Sequence, residues 1–207
     1  MIRVLAFTDP HGGLDAADSI LKLAASMNPD IIVCSGDISY FGARFDGFLT
    51  RLKGLRQDVF FVPGNHETED SLENIRLWYP FMKDVSFNPV EVKGLVVVGL
   101  PATMEFWPDG NFDAQVKSQA LALLKRDRSK TTILLSHYPP WKSEISGIGI
   151  PTPDSGGSRL VLEITRELEP SLMICGHYHQ DFKKSTKLGS TKLSNPGPDG
   201  TIYEFDL

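Results

Sequence analysis

Short apolar segments that stop abruptly, each followed by polar side chains, recur along this chain of 207 residues. The clearest case is the β-prone run at 59–62, which Pro63-Gly64 ends and the polar segment 65–67 (Asn-His-Glu) follows. In open α/β sheets, ligands bind beyond the carboxyl ends of the strands. Because a lone Gly-Asn-His string is also typical of a polar turn, the interpretation depends on the repetition of the pattern.

Helical spacing of apolar residues separates the first strand-like runs, at 2–8, 31–35 and 59–62. The first helix is predicted with Asp15 as its N-cap and an end at Asn28-Pro29. A second helix is predicted from Phe45 to Leu52, and a third from about Asp70 to Trp78. The first half of the chain therefore alternates strand and helix, which is typical of an α/β fold.

The second half of the chain does not continue this regular alternation of strand and helix. A hairpin is predicted at 90–98 with its turn at Lys93-Gly94, and further strands are predicted at 131–136 and 172–175. Asp113 and Ser158 are the predicted N-caps of two more helices.

The tail of the chain is predicted to form two antiparallel strands, at 191–193 and 201–205, on either side of Asn195-Pro196-Gly197. The apolar runs are too numerous for a single small sheet. We therefore predict one domain over residues 1–207, an α/β fold of two mixed β-sheets packed together with helices outside.

The composition of the chain argues against nucleic acid and membranes as partners. A formal net charge of −5 argues against a generic basic surface for nucleic acid, so no stable nucleic-acid complex is expected. No apolar stretch approaches the roughly 20 residues that cross a bilayer, and the start of the chain is too short for a signal peptide. Cys34 and Cys175 lie inside apolar runs, as is typical of buried hydrophobic residues in a reducing compartment. We expect a cytoplasmic protein with no membrane partner.

The histidines share one kind of position. Each of the five lies just past the end of an apolar, strand-like run: His11, His66, His137, His177 and His179. Asp9, Asp37 and Asn65 share that placement. For any one histidine, a polar loop is the more common explanation; for all five together, a functional site is favoured.

The residue types indicate a metal site. Carboxylate, amide and imidazole ligands without thiolates suit divalent Mn, Fe, Zn, Co or Ni, of which manganese is favoured here. Seven candidate ligands exceed one tetrahedral site and suit two ions, with Asp37 as the bridging carboxylate. Two ions roughly 3.5–4 Å apart can hold a hydroxide and clamp an in-line displacement at phosphorus. His66, next to Asn65, suits a general acid because the imidazole pKa is about 6.5.

These residues resemble the motifs of the calcineurin-like metallophosphoesterase superfamily. Asp9-Pro10-His11 is similar to its D-x-H, Gly36-Asp37 to its G-D and the segment 64–67 to its G-N-H-[DE]. His137 matches the single-histidine motif, and the segment 176–179 is similar to G-H-x-H. The resemblance spans nearly the whole chain and implies a four-layer α/β/β/α sandwich.

The resemblance also implies the roles of individual residues. One ion would be held by Asp9, His11, Asp37 and His179. The second would be held by Asp37, Asn65, His137 and His177. His66 would be the catalytic acid, and Asp37 would take part in catalysis as the bridge.

Departures from particular branches of the superfamily restrict the function. Protein serine/threonine phosphatases continue their G-D motif as G-D-x-x-D-R-G, whereas Tyr40 and Phe41 occupy the Asp and Arg positions here. From the length of 207 residues we expect no DNA-capping region like that of the recombination nucleases. The non-catalytic retromer scaffold lacks the acid histidine that is present here as His66.

Other residues are weaker candidates. Tyr40, Phe41, Trp107 and Trp141 could line a pocket that stacks a base or aryl group, although packing of loops is the more common role. Lys142 and Arg159 could pair with a phosphate. Ser158 is a predicted N-cap, and helix capping explains it without an anion.

The sequence therefore predicts a dinuclear metal-dependent phosphoesterase acting on a small phosphorylated substrate such as a nucleotide. Phosphodiester hydrolysis is slightly favoured over phosphomonoester hydrolysis, because no cluster of arginines is evident for a phosphate dianion. A scaffold that keeps its metals without turnover is the alternative from another class. A mononuclear amide or lactone hydrolase is disfavoured, since neither H-x-H-x-D nor H-E-x-x-H occurs.

Overall fold

The computed structural model describes residues 1–102, 117–118, 121–122, 130–147 and 156–206. Trp107 and the N-terminal part of the helix predicted from Asp113 lie outside these ranges. Positions 117–118 and 121–122 within that predicted helix are helical.

The first β-sheet is assembled mainly from the first half of the chain. Its strands are β1 (Ile2–Phe7), β2 (Ile31–Cys34), β3 (Val59–Phe61), β4 (Met82–Asp84) and β11 (Thr201–Phe205). The spatial order is β11-β1-β2-β3-β4, and only β11 runs antiparallel to its neighbour. The sheet is therefore mixed, as predicted.

Three helices cover one face of this sheet: α1 (Leu14–Met27), α2 (Phe45–Leu52) and α3 (Glu69–Trp78). Their buried side chains, such as Ile20, Phe48 and Ile75, pack in one cluster with Phe7 and Phe61 of the strands. The helix faces are apolar at helical spacing, which is why the sequence predicted them.

The predicted cap of α1 is wrong. Gly13 is the N-cap and Asp15 lies in the first turn, where its charge still complements the helix dipole. The N–H of Gly13 donates to the carbonyl of Pro10 at 2.7 Å, which forms a turn directly after β1. The helix therefore begins two residues earlier than an N-cap at Asp15 predicted.

The second sheet comes from the second half of the chain. Its strands are β5 (Val90–Val92), β6 (Leu95–Leu100), β7 (Thr132–Ser136), β8 (Leu172–Ile174), β9 (Ser185–Leu188) and β10 (Thr191–Ser194). The order is β5-β6-β7-β8-β10-β9, with the two outer pairs antiparallel. The hairpin predicted at Lys93-Gly94 joins β5 to β6.

One further helix, α4 (Arg159–Leu168), packs on the outer face of the second sheet. Ser158 is its N-cap, as predicted, and its hydroxyl accepts the N–H of Val161 at 3.2 Å. Val161 and Ile164 are buried against Met173 and Leu193.

The pairing predicted for the tail is wrong. β10 and β11 belong to different sheets: Leu193 pairs with Met173 in parallel, whereas Tyr203 pairs with Val4 in antiparallel. The turn at Asn195-Pro196-Gly197 therefore carries the chain from one sheet to the other. The Tyr203 and Ser194 hydroxyls share a buried hydrogen bond of 2.7 Å across that crossing.

The two sheets pack face to face over a shared apolar layer, which includes Val4, Val33, Val97, Leu135 and Ile174. Helices lie on both outer faces, so the layers follow the predicted order α/β/β/α. Among the described residues, no helix combines the length and the hydrophobicity that crossing a bilayer requires.

The layer between the sheets dominates the expected stability. Leu135 is fully buried there, and Leu135→Ala is expected to lower the free energy of unfolding by about 2–5 kcal/mol because it leaves a cavity. Leu77→Ala is the matched control: Leu77 is 65% exposed on α3, and a change within about 0.5 kcal/mol is expected. Urea denaturation measures both. Similar costs for the two variants would contradict the layer assignment.

Candidate metal centre

The first sheet contributes five of the predicted site residues. Asp9 and His11 follow β1, Asp37 follows β2, and Asn65 and His66 follow β3. Because these strands are parallel neighbours, their carboxyl ends lie side by side.

The second sheet contributes the other three. His137 follows β7, and His177 and His179 follow β8. The backbone N–H of His177 lies 3.1 Å from both carboxylate oxygens of Asp9, which joins the loops of the two sheets. The site therefore lies where the strand ends of both sheets meet.

The backbone at these loops is unusual. Asp9, His11, Asp37 and His177 all have positive φ, between 45° and 69°, a region that non-glycine residues rarely adopt. Such outliers cluster at functional sites, where the surrounding structure holds them in place.

The glycines beside these residues are required by close packing. A Cβ on Gly64 would lie 2.1 Å from Asp37 Oδ1, and one on Gly176 would lie 2.2 Å from Asp9 Oδ2. Both glycines thus leave room for a carboxylate that faces the centre of the site.

The Asp37 carboxylate lies at the centre of the cluster. Its Oδ2 is 3.4 Å from His137 Nε2, 3.7 Å from His11 Nε2 and 3.9 Å from His66 Nε2. Three sets of donor atoms lie mutually within 4.8 Å: Asp9 with His11 and His179, His11 with Asp37 and His66, and Asp9 with Asp37 and His137.

Asn65 lies between two histidines. Its Oδ1 is 2.8 Å from His137 Nε2 and 2.9 Å from His177 Nδ1. The structure thus brings all eight predicted site residues into one cluster.

Carbonyl groups orient two of the imidazoles. His11 Nδ1 lies 3.1 Å from the Ser39 carbonyl, and His137 Nδ1 lies 2.9 Å from the Ser35 carbonyl. A ring nitrogen that faces a carbonyl must carry the hydrogen and donate it, so in the neutral imidazole the Nε2 lone pair is directed into the cluster. This is the arrangement in which metal-binding histidines are held.

The charges of the buried pair also fit a cation. Burial alone would lower the pKa of His137, but the adjacent Asp37 carboxylate raises it to about 9. Burial likewise opposes ionisation of Asp37, but His137 and the His66 N–H lower the pKa of that carboxyl. The cluster therefore attracts positive charge at its centre, and a divalent cation there would replace the proton of His137.

Glu67 joins the loop after β2 to the loop after β3 by hydrogen bonds. Its buried carboxylate accepts the backbone N–H groups of Asp37 at 2.9 Å, Ser39 at 2.8 Å and Gly64 at 2.7 Å. Burial and the nearby Asp37 raise the pKa of Glu67, while the donors at Ser39 and Gly64 oppose that shift. Sequence reasoning placed Glu67 in a motif but missed this role.

His66 has aromatic neighbours. The Phe41 ring stacks on its imidazole with centroids 3.9 Å apart, and the Tyr40 ring lies at 5.5 Å. His66 Nδ1 is buried and has no hydrogen-bond partner among the residues that the structure describes. Burial lowers the pKa of His66, although the Asp37 carboxylate acts in the opposite direction.

The weaker candidates lie around Trp141. The Arg159 guanidinium carbon is 5.0 Å and Lys142 Nζ is 5.7 Å from the Trp141 ring centroid. Gly156 lies against the same ring, where a Cβ would approach to 2.9 Å. These contacts fit the packing of loops that the sequence favoured for Trp141.

Divalent cations are expected to stabilise the folded chain. At a concentration about 100 times the dissociation constant, Mn²⁺ should add roughly 2.7 kcal/mol to the free energy of unfolding, seen as a higher melting temperature. Asp37→Asn should remove most of this gain because it withdraws the central carboxylate. Asp199→Asn is the control, since Asp199 forms an exposed ion pair with Lys183 and should respond as wild type does. An unchanged gain in Asp37→Asn would contradict a site centred on Asp37.

Known proteins are similar to this chain in sequence or in fold. Over 145 residues the chain is 29% identical to an uncharacterized metallophosphoesterase of Helicobacter pylori strain J99, an alignment that covers 67% of this chain and 39% of that protein. The chain thus spans less than half the length of this curated relative. The crystal structure of TT1561 of Thermus thermophilus superposes with a TM-score of 0.72 at 21% identity, covering 95% of this chain and 89% of that one.

A dimetal phosphatase from Danio rerio superposes with a TM-score of 0.66 at 12% identity, covering 93% of this chain and 86% of that one. At such identities these likenesses concern the fold. The family is shown by sequence: the profile of the calcineurin-like phosphoesterases matches residues 2–181. This chain belongs to the calcineurin-like phosphoesterase family.

Proposed function

We propose that this protein is a dinuclear metal-dependent phosphoesterase that hydrolyses P–O bonds. The observation that carries the proposal is the position of Asp37, whose Oδ2 faces imidazole nitrogens of His11, His66 and His137 within 3.9 Å. One carboxylate shared by histidines from both sheets is suited to bridging a pair of cations.

The ligands divide into two sets. Asp9, His11, Asp37 and His179 would hold one ion, and Asp37, Asn65, His137 and His177 would hold the other. Divalent ions bound there would activate the attacking water and neutralise charge on the phosphoryl oxygens. Manganese is our favoured ion, because imidazole, carboxylate and amide ligands without thiolate suit it.

His66 is proposed as the general acid. Its backbone N–H donates to Asp37 Oδ1 at 2.9 Å, and its Nε2 lies 3.9 Å from Asp37 Oδ2. The ring is therefore held against the central carboxylate, with Nε2 near the reaction centre. From there the Nε2 proton can pass to the departing alkoxide.

Phosphodiesters are the favoured substrates. Tyr40 and Phe41 replace the Asp and Arg of the protein phosphatases, and both rings contact His66. Arg44 lies over the Tyr40 ring at 5.5 Å. Aromatic rings beside the cluster suit an ester with a second organic group better than a phosphate dianion, which needs more cationic donors.

The structural neighbour described as a dimetal phosphatase supports the two-metal interpretation.

Two histidine variants test the proposal. His66→Ala should keep its bound metal and lose about 10²- to 10⁴-fold in kcat, because only the proton donor is removed. His179→Ala, the comparison variant, should lose metal, because His179 is a proposed ligand and its Nε2 lies 3.7 Å from Oδ1 of the ligand Asp9. Metal analysis and hydrolysis rates with added Mn²⁺ measure both effects. A His66→Ala protein that loses metal would make His66 a ligand instead, and wild type without metal-dependent hydrolysis would favour a scaffold.

The class of ester is tested separately. With added Mn²⁺, turnover of a bis-aryl phosphate is expected to exceed that of the corresponding mono-aryl phosphate. Steady-state rates at matched concentrations decide the order. Faster cleavage of the monoester would reverse it and leave the metal assignment intact.

A further inference from the structure

A short turn presents two aromatic rings to solvent next to His66. The turn spans Tyr40 to Ala43, whose backbone N–H and C=O groups pair with each other at 2.9 and 3.1 Å. Tyr40 is 47% exposed and Phe41 64% exposed, unusual values for large rings in a folded chain. These rings lie at the cluster instead of in a core.

Phe41 occupies a strained conformation. Its φ is 50° and that of Gly42 is 76°, a pair of positive values that is typical of Asn-Gly or Gly-Gly turns. A bulky aromatic residue in the left-handed region is an outlier, because its Cβ crowds the following carbonyl oxygen. Asn or Gly adopts a positive φ more readily than Phe does. The backbone conformation of the turn therefore does not explain why an aromatic residue occupies position 41.

Hydrogen bonds fix the turn to the segment that carries His66. The Gly42 N–H donates to the His66 carbonyl at 3.0 Å and lies 3.1 Å from the Ser39 hydroxyl oxygen. That hydroxyl in turn donates to the His66 carbonyl at 2.8 Å. The Phe41 ring therefore has a defined position relative to the imidazole.

The two rings form a continuous wall with the histidines. Phe41 stacks on His66 at 3.9 Å, with 28° between the ring planes. Tyr40 lies 5.1 Å from Phe41 and 5.9 Å from His11, between centroids. One end of this wall touches the candidate ligands, and the other end is open to solvent.

We propose that Phe41, with Tyr40, forms a subsite that stacks a flat aromatic ring carried by the leaving group of the ester. The proposal rests on the proposed function. A general acid must reach the leaving oxygen at hydrogen-bond distance, so the leaving group has to lie beside His66. The exposed Phe41 ring stacks on His66, so a leaving group beside His66 would lie next to Phe41 as well. The ligand chemistry is an aromatic ring on an alcohol, supplied either by a nucleoside or by a simple aryl group.

A simpler role for Phe41 is to hold His66 in place, since no hydrogen-bond partner of His66 Nδ1 lies in the described part of the chain. The two roles differ in what they change. Loss of positioning would lower kcat for every ester. Loss of a stacking subsite would raise KM, and only for esters whose leaving group carries an aromatic ring.

The kinetic experiment compares two phosphodiesters with alkoxide leaving groups: a dinucleoside monophosphate and glycerophosphoglycerol. Phe41→Ala is expected to raise KM for the first about 5- to 150-fold, the range for loss of one base–aromatic stack, and to leave kcat/KM for the second nearly unchanged. Phe41→Trp should restore the dinucleoside KM. Trp78→Ala, which removes another exposed aromatic ring from α3, should match wild type with both esters.

A bis-aryl phosphate distinguishes the two sources of the ring. An increase in KM with the bis-aryl ester alone assigns a simple aryl group, whereas an increase with the dinucleoside ester assigns a nucleoside. An equal loss with glycerophosphoglycerol would reduce Phe41 to a positioning residue and overturn the subsite, as would no loss with any ester.

Binding without turnover gives an independent readout. Wild type with Mn²⁺ should bind phenylphosphonate more tightly than methylphosphonate in calorimetry, and Phe41→Ala should bind the two alike. Phe41→Gly should melt at or above the wild-type temperature, because glycine adopts a positive φ without strain. If no ester is hydrolysed by wild type, the proposed function fails. The phosphonate comparison then still decides the subsite, and equal binding of the two phosphonates by wild type would overturn it.

Discussion

One buried carboxylate holds the candidate site together. Glu67 accepts the backbone N–H groups of Asp37, Ser39 and Gly64, and so joins the loop after β2 to the loop after β3. Without it, three N–H donors would be buried unpaired, each at a cost of about 1–3 kcal/mol. Because Asp37 and Gly64 are fixed in this way, the Asp37 carboxylate points to the meeting place of the histidines, and the Phe41 turn lies against His66.

The sequence predicted the layers and the convergence of the site because both follow from local patterns. Apolar runs closed by Gly, Pro or Asp mark the strands, and parallel strands bring their carboxyl ends together. The positions of Asp9, His11 and Asp37 just past strand ends predicted a common site. Their convergence with His137 from the other sheet was implied by the resemblance to the family's motifs. The family match over residues 2–181 and the two-sheet architecture confirm the family and the fold, while the role of each ligand stays a prediction.

What the sequence could not predict depends on distant partners or weak signals. β4 and β9 are short and partly exposed with polar residues, and they form because a neighbouring strand leaves its backbone groups unpaired. β11 was paired wrongly because its partner, β1, lies at the opposite end of the chain. The positive φ of Phe41 has no signal in its own residue type, and the bonds that hold its turn come from His66 and Ser39.

The candidate ligands come from two sheets that share no strand and touch through an apolar layer. Cations bound by both sets of loops would add a cross-link between the two sheets, at the strand ends where the His177 N–H already meets the Asp9 carboxylate. If one sheet slid over the other by a fraction of an ångström, the distances between the ions and the ligands of the two sheets would change. Evolution of metal preference in such a chain can therefore proceed through residues between the sheets, with every ligand left as it is.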